Sequence, residues 1–132
     1  VKPIRLQSSR AGKEAKIDYE ALFAFQCKGF RLPEPSRQHL FALALGRKHR
    51  LDFAWPAYKI AVEIDGGIWR PGGGAHSHPI DIERNMTKGN DAVKLKWGVL
   101  HFTPAEVQSA EAVTFTLRVL IGAGWNGIPA PL

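Results

Sequence analysis

Arg50-Leu51-Asp52-Phe53-Ala54-Trp55-Pro56-Ala57-Tyr58-Lys59-Ile60-Ala61-Val62-Glu63-Ile64-Asp65 decides how this chain is read. Apolar and other residues alternate on either side of a Trp55–Tyr58 connection, which predicts a β-hairpin with strands over about 49–54 and 59–65. Successive side chains of a strand face opposite ways. Leu51 and Phe53 then share one face of the first strand, and Asp52 and Ala54 the other. On the second strand Ile60, Val62 and Ile64 share a face, with Ala61, Glu63 and Asp65 opposite. Symmetric closure sets Ala61 across from Asp52, with Glu63 as the diagonal neighbour. Three carboxylates thus converge on a surface otherwise lined by alanine. Like charges this close are costly. A positive partner is expected, and a divalent metal fits best.

The rest of the chain narrows the class. Its 132 residues suit one domain with a proper core. An apolar fraction of 45% and a charged fraction of 23% are those of an ordinary globular protein. A formal net charge of +6 favours an acidic partner, with nucleic acid first. The single cysteine, Cys27, excludes an internal disulfide and fits a reducing compartment. No apolar run is long enough to span a membrane, and no signal-peptide core opens the chain, so a cytoplasmic location is expected.

Residues 1–16 carry Lys2, Arg5, Arg10, Lys13 and Lys16 against Glu14, and are read as a flexible basic arm along a phosphate backbone. A helix is predicted over 17–28, capped by Asp18 and followed by Gly29. Leu22, Phe23 and Phe25 supply its apolar surface, while Glu20, Ala24 and Cys27 form another stripe. Residues 37–43 are read as a first strand. Gly46-Arg47-Lys48-His49-Arg50 is a basic turn suited to phosphate contacts. The glycine-rich stretch 66–78, with Trp69, Arg70, His76 and His78, reads as a substrate-gripping loop over the site, without the ending of a P-loop. A helix is expected over 80–97, with Ile82, Met86, Val93, Trp97 and Gly89 toward the sheet and Asp81, Arg84, Asn85 and Lys88 on the other side. Gly98 is read as its end, and Val99–Phe102 as a short buried strand. Thr103-Pro104-Ala105-Glu106 is a capping box with proline at the first helical position. The helix it starts runs to about Ile121, broken near Ser109, with Val113, Leu117, Leu120 and Ile121 as its apolar side. Residues 17–121 form one domain, and 122–132 an irregular tail. The order helix, three strands, helix, strand, helix predicts an α/β fold with a mixed sheet of about four strands flanked by helices.

This order, with Glu20 on the first helix and Asp52 and Glu63 on the strands, resembles the PD-(D/E)xK nuclease superfamily and its restriction-endonuclease-like fold. Arg50-Leu-Asp-Phe-Ala-Trp-Pro with Ala61-Val-Glu-Ile-Asp-Gly-Gly-Ile-Trp is similar to one branch. That branch holds the very-short-patch repair endonucleases and small endonuclease-like proteins often encoded by phages. The later pieces of its pattern match His76, Lys88-Gly89-Asn90-Asp91-Ala92 and Trp97-Gly98-Val99-Leu100-His101-Phe102-Thr103. The resemblance spans about Glu20 to Val107.

The resemblance implies a metal-dependent endonuclease that hydrolyses phosphodiester bonds in DNA. Asp52 and Glu63, joined by Asp65, would hold Mg²⁺ or Mn²⁺, and the helix-borne Glu20 would support them. Asp65 stands where the motif's lysine belongs, and Lys88 is the expected substitute, orienting the attacking water or stabilising the charge on phosphate. His76 is the expected phosphate contact or general base. Arg47, Lys48, Arg50, Arg70 and Arg84 are the expected DNA contacts. Branched or nicked DNA suits a small enzyme with no evident sequence-reading module, and paired cuts would need a homodimer. The alternative is a non-catalytic DNA-binding protein on a decayed nuclease fold. A structural zinc protein built on His76 and His78 ranks below both.

Overall fold

The computed structural model describes residues 16–65 and 79–128, together with the backbone of 6–7. Leu6–Gln7 (β1) pairs antiparallel with Lys16–Ile17 (β2). Part of the expected basic arm is therefore a short ladder, while 1–5 and 8–15 lie outside the described residues.

Asp18 starts α1 (Tyr19–Gly29), its carboxylate accepting the Ala21 N–H at 2.9 Å. Phe23 and Cys27, one turn apart, carry the buried face of this helix, and Phe25 is exposed. The apolar surface expected from Leu22, Phe23 and Phe25 is thus divided, because Phe25 lies two positions from Phe23 and points elsewhere on the helix. β3 (Ser36–Leu40) is shorter than expected. Leu43 falls in a 3-10 turn, Leu43–Leu45, closed by Gly46 at φ 73°. Glycine suits that left-handed position because it has no Cβ.

β4 (Arg50–Trp55) and β5 (Ile60–Ile64) form the expected hairpin with a corrected register. Trp55 is a strand residue, buried, with its indole N–H donating to the Pro33 carbonyl at 2.6 Å. The turn accordingly occupies 56–59. Ala54 pairs with Ala61 and Phe53 with Val62, so the next step sets Asp52 directly opposite Glu63 rather than diagonal to it. The shift relative to symmetric closure is two residues, and an even shift does not by itself move a side chain to the other face.

The sheet runs β3-β4-β5-β6, with β6 at Gly98–Phe102. Its first two pairings are antiparallel and β5 with β6 is parallel. A parallel pair needs a crossover, and α2 (Pro79–Lys94) supplies it. The fold is α/β with a four-stranded mixed sheet flanked by helices. Gly98 opens β6 instead of ending the helix. β6 lies at the sheet's edge, and of its residues only Phe102 is fully buried, so the expected buried strand is half-covered.

α2 ends at Lys94, short of the expected 97; Trp97, just beyond it, is buried as expected, but the rest of the expected apolar side is not. Ile82, Met86 and Val93 are exposed, Val93 to 75%, while Asp91 and Ala92 are its buried residues and Lys88 is partly buried. Lys88 meets Glu63, and Asp91 meets Arg47 at 2.7 Å. The residues that α2 turns inward are thus Lys88, Asp91 and Ala92.

Thr103 caps α3 (Pro104–Gln108): its hydroxyl accepts the Glu106 N–H at 3.2 Å, and the Glu106 carboxylate accepts the Thr103 N–H at 3.0 Å. The expected break follows, with Ala110 at φ 67° before α4 (Glu111–Gly122). Ala112, Val113, Thr116 and Leu120 are the buried residues of α4, and Ile121 is exposed. Of the expected tail, Gly122 belongs to α4, 123–128 lie in no helix or strand with Trp125 packed into the core, and 129–132 fall outside the described residues.

Apolar residues sort into two clusters. Phe53, Trp55 and Val62 pack with Phe23, Val107, Val113 and Leu120 from α1, α3 and α4. Phe23 and Phe53 meet edge to face, with centroids 4.8 Å apart. Ala54 and Ala61 pack with Phe41, Ala92, Trp97 and Leu51 in a smaller cluster. Leu51 and Phe53 were expected on one face, yet they lie in different clusters. The switch falls opposite Gln38, whose φ of 49° interrupts the pleat of β3. Among the described residues no helix is long and apolar enough to cross a membrane.

Thr103→Ala should lower unfolding stability by about 1 kcal/mol in urea denaturation, as expected for loss of a capping hydroxyl.

Candidate functional site

Asp52 and Glu63 face each other where the β4–β5 ladder stops. The Asp52 N–H donates to Glu63 Oε2 at 3.1 Å, and the Ile64 N–H donates to Asp52 Oδ2 at 2.9 Å. Each carboxylate takes a backbone donor from the opposite strand. Both acids are thereby oriented by main chain, and the donors at the parted strand ends are satisfied. Beside them opens a cleft of about 700 Å³ between the sheet and α2. Glu20, Asp65, Asn85, Lys88 and His101 line it with both acids, and Trp97, Val99 and Ala92 give it an apolar end.

Lys88 reaches down from α2 and its ammonium donates to Glu63 Oε1. Glu20 comes from α1, joined to Asp52 through the side-chain amide of Gln38. The structure thus brings Asp52, Glu63, Lys88 and Glu20 to one cleft. Burial pushes the Glu63 carboxyl above its usual range; Lys88 offsets part of this, and the Asp52 charge adds to it. Glu20 is raised as well, by burial first and by Asp52 second.

Asp65 takes a different partner. Its Oδ2 lies 2.6 Å from Nδ1 of His101, which stands next to Glu63 in the parallel β5–β6 pairing. That hydrogen bond holds the His101 pKa above the ordinary value, against the opposing effect of burial. No group of three or more histidine, cysteine or acidic side chains is arranged to hold a metal among the described residues. The trio Asp52, Glu63 and Asp65 expected from the strand pattern is therefore a facing pair plus an outlying acid bound to a histidine.

Two residues at the site, His101 and Gln38, were not foreseen. His101 breaks an otherwise apolar run, Val99-Leu100-His101-Phe102, and that interruption was its only sequence signal. Gln38 had none.

The expected DNA-contacting residues are partly engaged within the protein. Arg47 Nε pairs with Asp91, which also lies 3.4 Å from His49 Nε2. Arg50 donates to the Gln38 carbonyl at 3.3 Å. Arg84 stands 3.8 Å from Asp81 on the exposed side of α2, and Lys48 is exposed. Arg70, His76, His78 and Trp69 lie outside the described residues.

Compared with known proteins, the chain matches no family model, no curated protein and no solved structure.

A raised histidine pKa stabilises the fold below about 6.5, and that contribution is lost as pH rises through the folded value. In an NMR titration, the His101 ring should titrate above 6.5 in the native chain, and Asp65→Asn should bring its midpoint down.

Proposed function

We propose that this chain is a metal-dependent DNA endonuclease of the PD-(D/E)xK kind, hydrolysing phosphodiester bonds. The observation that carries the reading is the Lys88 ammonium, which meets Glu63 in the cleft that Asp52 lines. The motif's lysine position holds Asp65, and a lysine from α2 supplies the missing cation at the acids. The α/β order of elements around a four-stranded mixed sheet supports the reading at the level of fold class.

The donor set fits a hard divalent cation. Asp52 and Glu63 offer only oxygen, and Mg²⁺ is commonly held by one or two carboxylates together with water and phosphate oxygens. Burial of Glu63 and Glu20 beside Asp52 leaves negative charge that a cation would neutralise. Asp52 and Glu63 would hold the ion, with Glu20 behind them. Bound there, it would activate water and offset charge on the phosphate. Lys88 contributes an ammonium that orients water or meets a phosphate oxygen during the displacement. The Asp65 bond at Nδ1 fixes the His101 ring and leaves Nε2 to face a substrate. The exposed basic residues supply the backbone attraction that a net charge of +6 implies.

Supercoiled, linear and four-way-junction DNA incubated with Mg²⁺, Mn²⁺ or EDTA tests the reading. Metal-dependent cleavage is expected, lost in Asp52→Ala. Lys88→Ala should slow turnover at least about 100-fold while leaving metal affinity largely intact. Cleavage unchanged in Asp52→Ala would sink the site assignment, and unchanged cleavage in Lys88→Ala would sink the role of that lysine. DNA binding without cleavage under any metal would favour the non-catalytic alternative.

Thermal unfolding gives a second check. Raised carboxyl values mean that stability from Glu20 and Glu63 is present below 4.5 and lost as pH rises through their folded values. Mn²⁺ should therefore raise the Tm more at pH 8 than at pH 5. An equal shift at both values would count against a cation at these acids.

A further inference from the structure

We propose that Gln38 is a positioning residue that holds Glu20 and Asp52 together to receive the divalent cation. This deepens the metal-dependent reading and rests on it. On either side of Gln38 the β3–β4 ladder is regular, Arg37 pairing with Phe53 and His39 with Leu51. Between those pairs Gln38 takes φ 49°, a left-handed conformation that a side chain with a Cβ disfavours. Gly46 and Lys59 also have positive φ, but both sit in turns that need it. Gln38 sits in mid-strand, between paired residues rather than in a turn. Strain of this sort persists only where its surroundings over-determine it, and it gathers at functional sites.

The conformation aims the side chain at two carboxylates. Gln38 Nε2 donates to Glu20 Oε1 at 3.1 Å and to Asp52 Oδ1 at 3.3 Å. The main-chain carbonyl of Gln38 accepts from Arg50 Nη1 at 3.3 Å, so backbone and side chain of the strained residue are both engaged. Glu20 and Asp52 come from α1 and β4 and repel each other. A neutral amide with two donors links them without adding a charge that would compete with a metal. With Oδ2 on the Ile64 N–H and Oδ1 on Gln38, both oxygens of Asp52 are oriented. Partners that orient metal-ligating carboxylates in this way carry much of a site's affinity.

The test is a Mn²⁺ titration of the whole chain, read from the EPR signal of free Mn²⁺, with the Tm measured alongside. Gln38→Met keeps the length and removes the donors, and should weaken Mn²⁺ binding by about 10–100-fold with the Tm near that of the unaltered chain. Gln38→Gly should weaken binding equally while raising the Tm, because glycine adopts the left-handed conformation without strain. Opposite signs in affinity and stability separate positioning from a merely structural role. Affinity unchanged in both variants would overturn the proposal. Asp52→Ala keeps the two readings apart. If the unaltered chain binds Mn²⁺ and Asp52→Ala does not, the metal reading stands even where the Gln38 variants bind normally. If the unaltered chain binds no Mn²⁺, both fall.

Discussion

The exchange of backbone hydrogen bonds between Asp52 and Glu63 is the constraint on which the arrangement depends. Each carboxylate accepts an N–H from the strand that carries the other, through the Asp52 and Ile64 amides. The acids therefore take the place of the next rung of the ladder. The strands part there, the cleft begins there, and two negative charges are fixed at its floor. An ionised carboxylate out of water is costly unless it is paired. The neighbourhood follows from that cost: Lys88 comes down from α2, and the Gln38 amide reaches across from β3.

The two faces of the sheet divide the work. One carries Phe53, Trp55 and Val62 under α1, α3 and α4, and holds most of the large buried side chains. The other carries Ala54 and Ala61, which leave room for the acids and for α2. Two ion pairs tie α2 to that side of the sheet and to the turn before β4. Lys88–Glu63 lies near its middle and Asp91–Arg47 one turn later, while Ile82, Met86 and Val93 are exposed.

Under the proposed nuclease reading, the site redistributes its parts among elements. The motif's lysine place, just past the end of β5, holds Asp65, which pairs with His101 on β6, and the lysine comes from a helix. A cation donor needs only to arrive near the acids, and a helix crossing the sheet delivers one as well as a strand does. The Asp65–His101 pair adds a titratable group beside Glu63 that a motif lysine would have displaced.

Element order was legible in the chain alone because its signals are local. Alternation marked β4 and β5, the capping box marked α3, and the Asp18 cap marked α1. That Asp52 and Glu63 share a face followed from the strand period of two. Other features depended on contacts distant in sequence. The hairpin register turned on Trp55, buried and bound to Pro33, which moved the turn and set the acids opposite each other. Periodicity located an apolar stripe on α2, but charge pairing with residues 25 and 44 positions away decided which side faced the sheet. His101 and Gln38 joined the site through strand neighbours and a backbone angle, which no local pattern encodes. Sequence by itself determined which segments form and which acids share a face. Tertiary structure decided what neutralises those acids, because an unpaired buried charge selects its partner by position in space, wherever that partner lies along the chain.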